Sequence, residues 1–348
     1  MLRRHSAPLI YAILVIALIS YSGCDKKESD KTDQNNSKGS GENSELIKKD
    51  EKGTKVNLIV KPKKGEIFRY KINAKTSSSE KSPMTGDKEM SSDQDINYFY
   101  SEEVTDISGA GIVTYKIKFD SINIVSGVSS ADSSVSMKYN SNVKDSAYSK
   151  PEFLQYNAIM KEEFFVRVSP QGEISDIYGL EGVYDKIFKG LGDTLSPEQK
   201  NELKESFGQE AIKAVLQQQF QMFPQNEVYK DSTWNRTYET QILIFPVKNI
   251  LTYKISDIKE EKGNTLLTID ADLAVEFMEK EFKDKDMTYK AEEISTGGRG
   301  KIVYDITRGC VTNKETTTSI DLGLKLSARG QSIMTSQKVK TELKVQLL

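Results

Sequence analysis

The chain has 348 residues, a formal charge of −2 and a hydrophobic content of 37%. A near-neutral balance supplies no basic field, so nucleic acid is not an expected partner. Its one histidine is His5, at the very start. Ser-His-Asp or Cys-His catalysis, histidine-ligated zinc and an imidazole switch are therefore not expected of the folded part.

Arg3, Arg4 and His5 form a basic start, Leu9 to Ile19 an uncharged apolar run, and Tyr21-Ser22-Gly23-Cys24 a small-residue exit. This is the pattern of a secretory signal peptide over residues 1–23. The run falls short of the ~20 apolar residues that a membrane-spanning helix needs. Ser22-Gly23-Cys24 resembles the lipobox of bacterial lipoproteins, with Tyr21 where most have an aliphatic residue. The resemblance implies cleavage before Cys24, lipidation of Cys24, and attachment of the mature chain to a membrane of the cell envelope. Removing Arg3 and Arg4 takes the formal charge from −2 to −4. With Cys24 lipidated, the second cysteine, Cys310, has no partner for an intrachain disulfide.

Residues 24–55 begin with the lipidated Cys24. Asp25 to Asp30 and Asn35 to Gly41 have almost no apolar side chains, which predicts a disordered tether with a reach of about 30 Å. Order is expected from Val56, and 56–195 reads as a first β unit. Val56, Leu58 and Val60 alternate with polar residues, Pro62 to Gly65 turns, and Phe68, Tyr70, Ile72 and Ala74 alternate again. Residues 77–92 read as a polar loop, in which Ser78-Ser79-Glu80-Lys81 has Ser-x-x-Lys spacing without the motifs that accompany it in catalysis. Ile96, Tyr98, Tyr100 and Val104 lead to a turn at Ser108 to Gly111, and Val113, Tyr115, Ile117 and Phe119 return with a phase shift at Ile122 that predicts a bulge. Phe164 to Val168, Ser169-Pro170-Gln171-Gly172 and Ile174 to Ile177 read as a tight hairpin.

A helical insertion is predicted over 196–223. Ser196-Pro197-Glu198-Gln199 supplies an N-cap, a proline at the first helical position and a Gln placed to close a capping box. Leu203, Phe207, Ala211, Val215 and Phe220 form an apolar stripe that ends before Pro224. A second β unit, 224–348, follows. Leu267, Ile269, Ala271, Leu273, Val275 and Phe277 keep one face, as do Ile320 to Leu326 and then Val339 to Leu347. Such long alternating strands suit a curved sheet or half-barrel. Val104-Thr105-Asp106-Ile107 echoes Ile255-Ser256-Asp257-Ile258, which favours a duplication of the two units. Trp234 is expected to fill the junction between them.

The proline-to-valine spacing in Phe223 to Val228, the Asp231-Ser232-Thr233-Trp234 entry to a strand, the Lys63 to Glu66 turn and Ser169 to Ile174 together carry a resemblance. They are similar to a family of uncharacterised Bacteroidota lipoproteins known only as a domain of unknown function, with Lys230 where many members have Gly. The resemblance implies a compartment and no activity.

The remaining motifs are weak. Gly297-Gly298-Arg299-Gly300 lacks the strand-to-helix context of a phosphate loop and reads as a flexible turn. Asp284-Lys285-Asp286 lacks the Gly and terminal Glu of a calcium loop. Cys310 reads as a small buried residue rather than a nucleophile. The expectation is a mainly β (α+β), lipid-anchored envelope protein, periplasmic or surface-exposed, with no cofactor, no metal and no catalytic residues. It would bind or assemble with an envelope partner. The alternatives are a carrier of an apolar ligand in a half-barrel cavity and a carboxylate-dependent hydrolase, which needs two acidic groups across a cleft.

Overall fold

The computed structural model describes residues 46–83, 86, 88–144, 150–192, 195–206 and 209–348. Cys24, the segment 1–23 and the tether up to residue 45 lie outside them. Regular structure is already present ahead of the expected start of order at Val56. Strands β1 (Ile47–Asp50) and β2 (Gly53–Val56) form a hairpin, so residues 46–55 belong to the folded body and not to the tether. Alternation could not reveal these strands, because Val56 alone among their side chains is fully buried. They are held by backbone pairing and by Glu227, which accepts from Lys48 and Lys55 at 3.0 and 2.8 Å.

The long strands follow the polar and apolar alternation. β3 (Ile67–Lys81) buries Phe68, Tyr70 and Ile72, and β4 (Glu89–Ile107) buries Ile96, Tyr98, Tyr100 and Val104. The stretch expected to be a polar loop is thus mostly strand. Ser77, Ser78 and Ser79 pair with Asp93, Ser92 and Ser91, and hydroxyl to hydroxyl or carboxylate hydrogen bonds replace apolar packing there. β5 (Val113–Ser130) and β6 (Ser133–Asn140) complete the first meander, with the bulge in β4 and β5 at Phe99/Tyr100. Helix α1 (Leu154–Ile159), the hairpin β7 (Glu163–Val168) and β8 (Ile174–Tyr178), and helix α2 (Glu181–Leu191) come next.

Helical structure is therefore not confined to 196–223. In α2, Val183 and Ile187, four apart, turn one face inward. The predicted long helix is two: α3 (Pro197–Ser206) and α4 (Gln209–Leu216). The capping box forms as read, with the Ser196 N–H donating to Gln199 Oε1 at 2.9 Å and the Gln199 N–H donating to Ser196 Oγ at 3.3 Å.

β9 (Val228–Tyr229) adds to β2 and closes a small three-stranded sheet. The second meander then runs through β10 (Thr233–Ile242), β11 (Phe245–Glu261), β12 (Asn264–Phe277), the short β13 (Glu281–Asp284), β14 (Met287–Asp305), β15 (Cys310–Ala328) and β16 (Gln331–Leu347). Gly297 to Gly300 lie inside β14 and are not a turn. Side chains at Gly298 and Gly300 would meet Thr318 and Thr316 Cγ2 at 2.7 and 2.6 Å, a close approach that only glycine permits.

The two meanders join into one antiparallel sheet, because β16 pairs with β3 over twelve residue pairs from Ser336↔Lys81 to Leu347↔Tyr70. Its order is β10-β11-β12-β14-β15-β16-β3-β4-β5-β7-β8, with β13 on β14 and β6 on β5. The path is open, with β10 and β8 as edges, so the barrel does not close. A flat sheet of this order would be about 50 Å wide at ~4.8 Å per strand. Instead Phe164 and Ile177 from one edge share a single core with Trp234 and Tyr253 from the other, so the sheet curls. Both echoed segments carry the same device. The register shifts at Val104/Asp106 and at Ile255/Asp257, and the intervening Thr105 and Ser256 hydroxyls donate to the carbonyls of Thr114 and Thr268.

The seam between β16 and β3 is pinned at its lower end. Tyr70 Oη donates to the Val311 carbonyl at 2.8 Å, and Arg308 donates to Glu66 at 2.9 Å while lying 4.9 Å over the Phe68 ring. Trp234 is 9% exposed and stacks on Tyr253 with centroids 5.4 Å apart. Its emission is expected to be blue-shifted and poorly quenched by acrylamide, and Trp234→Ala to cost about 3 to 5 kcal/mol in denaturant unfolding. Red-shifted, fully quenched emission would contradict its place in the core.

Candidate functional site

After Leu216 the chain leaves the helix through a tight turn at Gln217 to Gln219 and crosses the inner face of the sheet as an irregular stretch that runs to Phe223. An apolar sheet accepts such a stretch only if its polar groups find partners. Gln217 accepts the Ile174 N–H at 3.0 Å and donates to the carbonyls of Gly172 and Phe220 at 2.9 and 3.1 Å. The Phe223 N–H donates to the Gln171 carbonyl at 2.7 Å. Phe220 packs on Tyr115 with ring centroids 5.3 Å apart, and Phe223 meets Tyr304 edge-on at 4.7 Å. The stretch thus touches β5 in one meander and β14 in the other. It also fixes the β7–β8 turn, where Gly172 has φ of +85° and any Cβ would lie 2.1 Å from the Gln221 carbonyl oxygen.

Beneath the stretch lies a polar layer. Tyr100 Oη donates to Gln219 Oε1, and Gln219 Nε2 donates to Glu102 Oε1 at 2.8 Å. Glu102 is 1% exposed and its Oε2 has no hydrogen-bond partner among the described residues. Burial pushes its carboxyl up to about 8 against the Gln219 hydrogen bond, which pulls it down. At neutral pH the group is a neutral acid, and the Gln219 bond falls on its Oε1. Across the stretch, Lys314 is 7% exposed and donates to the Gln218 carbonyl at 2.9 Å; burial brings its ammonium down to about 8. It forms no ion pair among the described residues. Cys310 is buried nearby, and burial pushes its thiol up to about 12, which makes it a poor nucleophile.

Beside Lys314 a cleft runs along the inner face of the second meander. One cavity of about 60 Å³ is lined by Gln218, Gln221, Tyr253, Ala271, Gly300 and Lys314, among others. A second of about 40 Å³ is lined by Thr240, Ile242, Asn249, Val275, Thr318 and Val339, among others. They share Tyr238, Leu273 and Thr318 and so form one slot. Asn249 is 6% exposed, and its Nδ2 has no hydrogen-bond partner among the described residues. Among the described residues Asp272 is the one acidic residue in the lining, and it alternates to the solvent face. Among the described residues no group of three or more His, Cys, Asp or Glu could hold a metal, and no helix is long and apolar enough to cross a membrane.

Of the sequence candidates, Cys24 lies outside the described residues. Ser78 to Lys81 sit in a strand, Asp284 to Asp286 in the β13–β14 turn, and Gly297 to Gly300 line the cleft. Sequence reasoning missed Glu102, Lys314 and Asn249. Their signal was parity: Glu102 continues the inward positions Ile96, Tyr98 and Tyr100, and Lys314 is in phase with Ile320 and Leu322. The Glu102 environment makes a prediction. An acid at about 4.5 when unfolded and about 8 when folded binds its proton more tightly in the native state, so its contribution to stability falls as pH rises from about 4.5 to about 8. Glu102→Gln should remove that fall. Relative to wild type, denaturant unfolding should find the variant more stable at pH 8 than at pH 5, by a gain on the order of 4 kcal/mol. An identical pH dependence in both proteins would contradict a neutral Glu102.

No curated protein sequence matches the chain. Among solved structures, lipovitellin, described for its lipid–protein interactions, is 11% identical with a TM-score of 0.42, covering 82% of this chain. The chain spans 25% of lipovitellin's length. OccK7 (OpdD) of Pseudomonas aeruginosa is 7% identical with a TM-score of 0.21, covering 82% of this chain and 100% of that one. Likeness at these scores carries nothing about ligand or activity. Residues 110–311, more than half of the chain, match the model of a family of unknown function, DUF6263, and the chain belongs to that family.

Proposed function

We propose that the chain is a lipid-anchored lipoprotein of the cell envelope, held through Cys24, that acts by non-catalytic binding in the cleft of its second meander. The observation that carries this reading is the lining of the cleft. Most of the lining is apolar, hydroxyl-bearing or glycine, with Gln218, Gln221, Asp272 and Arg299 besides, and two inward polar groups, Asn249 and Lys314, keep hydrogen-bonding capacity that is not filled among the described residues. A lining of mostly apolar groups with a few placed polar ones is what small-molecule sites use for affinity and orientation.

The two cavities, about 60 and 40 Å³, are well below the ~300 Å³ of ordinary pockets. A slender ligand suits them and a bulky apolar cargo does not. Carboxylate-dependent hydrolysis is less favoured, since it needs a second acidic group facing the first across the cleft. Asp272, the one acid in the lining, is exposed on the outer face.

Two measurements test the proposal. Cys24→Ser should move the protein from the detergent phase to the aqueous phase, through loss of acyl chains worth ~0.8 kcal/mol per buried methylene; unchanged partitioning would overturn the anchor. Native mass spectrometry of the full chain purified from membranes should find a bound small molecule that Thr318→Phe removes. Retention of that molecule by the variant would overturn the cleft as the site, and its breakdown by wild-type protein would overturn the non-catalytic reading.

A further inference from the structure

The inner face of the second meander is a ladder of rungs. Ile269, Ile302 and Lys314 form one; Tyr253, Ala271, Gly300 and Thr316 the next; Leu251, Leu273, Gly298 and Thr318 the third; Asn249 and Val275 the fourth. Lys314 and Asn249 therefore stand three two-residue steps apart, about 20 Å along the strands at ~3.4 Å per residue. Between them two successive inward positions of β14 carry no side chain, and Ala271 flanks one of them. The Thr318 and Thr316 methyls lean over these two glycines, so small methyl groups form this part of the floor, and the walls are mostly apolar or hydroxyl-bearing, with Gln218 and Gln221 beside Lys314.

The Lys314 ammonium has three donors and uses one on the Gln218 carbonyl. No carboxylate among the described residues reaches it. A buried cation without a counter-charge is costly to the fold, and a methionine, one atom shorter, would pack there without that cost. An anion delivered from outside, with an apolar body to fill the slot, satisfies both halves of this arrangement.

We infer that the cleft binds a straight-chain carboxylate, its anionic end on Lys314 and its chain lying over Gly300 and Gly298 toward Asn249. This rests on the reading of the cleft as a binding site. Room of about 60 and 40 Å³, at 10–15 Å³ per water, admits roughly seven to ten waters in line, which fits a single chain and not a ring system. The charge of the ligand follows from Lys314, and its slenderness from the small volume of the slot.

Titration calorimetry on the full chain with dodecanoate, below its micelle concentration, and with uncharged dodecanol tests the proposal. Dodecanoate should bind at least about tenfold more tightly than dodecanol. Lys314→Met should reduce dodecanoate affinity to that of dodecanol while the variant melts at or above the wild-type temperature. Equal affinity of the wild type for the two probes would overturn the anionic ligand and leave the cleft as a binding site. So would undiminished dodecanoate binding by a folded Lys314→Met. Should that variant fail to fold, photocrosslinking of wild type with a diazirine-bearing dodecanoate decides. Labelling of peptides containing Leu273 or Thr318 supports the site. Labelling elsewhere, or no binding of either probe, overturns both this inference and the reading on which it rests.

Discussion

A polar strip laid inside an apolar sheet must satisfy its own hydrogen bonds, and this constraint governs the molecule. Gln217 to Phe223 meets it by bonding to both meanders and to the β7–β8 turn at once. Phe220 and Phe223 add the apolar contact, one against β5 and the other against β14. The strip therefore does for an open sheet what a closing strand pair does for a barrel, since it holds distant strands around a shared core. The cost is visible in the polar layer beneath it, where a carboxyl is kept neutral and an ammonium has no counter-charge among the described residues.

Much of the fold could be read from local pattern. Leu267 to Phe277 alternates without a break, and the structure makes it one strand. The capping box at Ser196 and the Ser169 to Gly172 turn form as written, because each is satisfied by residues within a few positions. What could not be read is non-local. Pairing of β16 with β3 joins residues more than 250 positions apart, and no periodicity encodes it. The apolar stripe continues through Phe220, yet the helix ends at Leu216, because the partners of Gln217 and Gln219 lie on distant strands. Gly297 to Gly300 reads as a turn until Thr316 and Thr318 are known to lie across from it.

The site was legible in the same partial way. Composition pointed away from histidine chemistry, and Cys310 proves to be buried with a thiol held in its neutral form. The charged groups at inward parity, Glu102 and Lys314, pass for surface residues in a chain with so many charges, although their phase marks them. Fold and site are coupled through Gln218, whose carbonyl holds Lys314 in the lining of the cleft. Any ligand that draws on Lys314 therefore acts on the strip that unites the two meanders.

Hydrogen exchange on Gly172→Ala tests that union most directly. The added methyl cannot coexist with the Gln221 carbonyl at 2.1 Å, so it must displace the strip at one end while altering no residue of the long strands. If the strip unites the sheet, amide protection should fall together in Tyr98 to Phe119 and in Ile302 to Thr316. Loss confined to Phe164 through Tyr178, with the long strands protected as in wild type, would contradict the account.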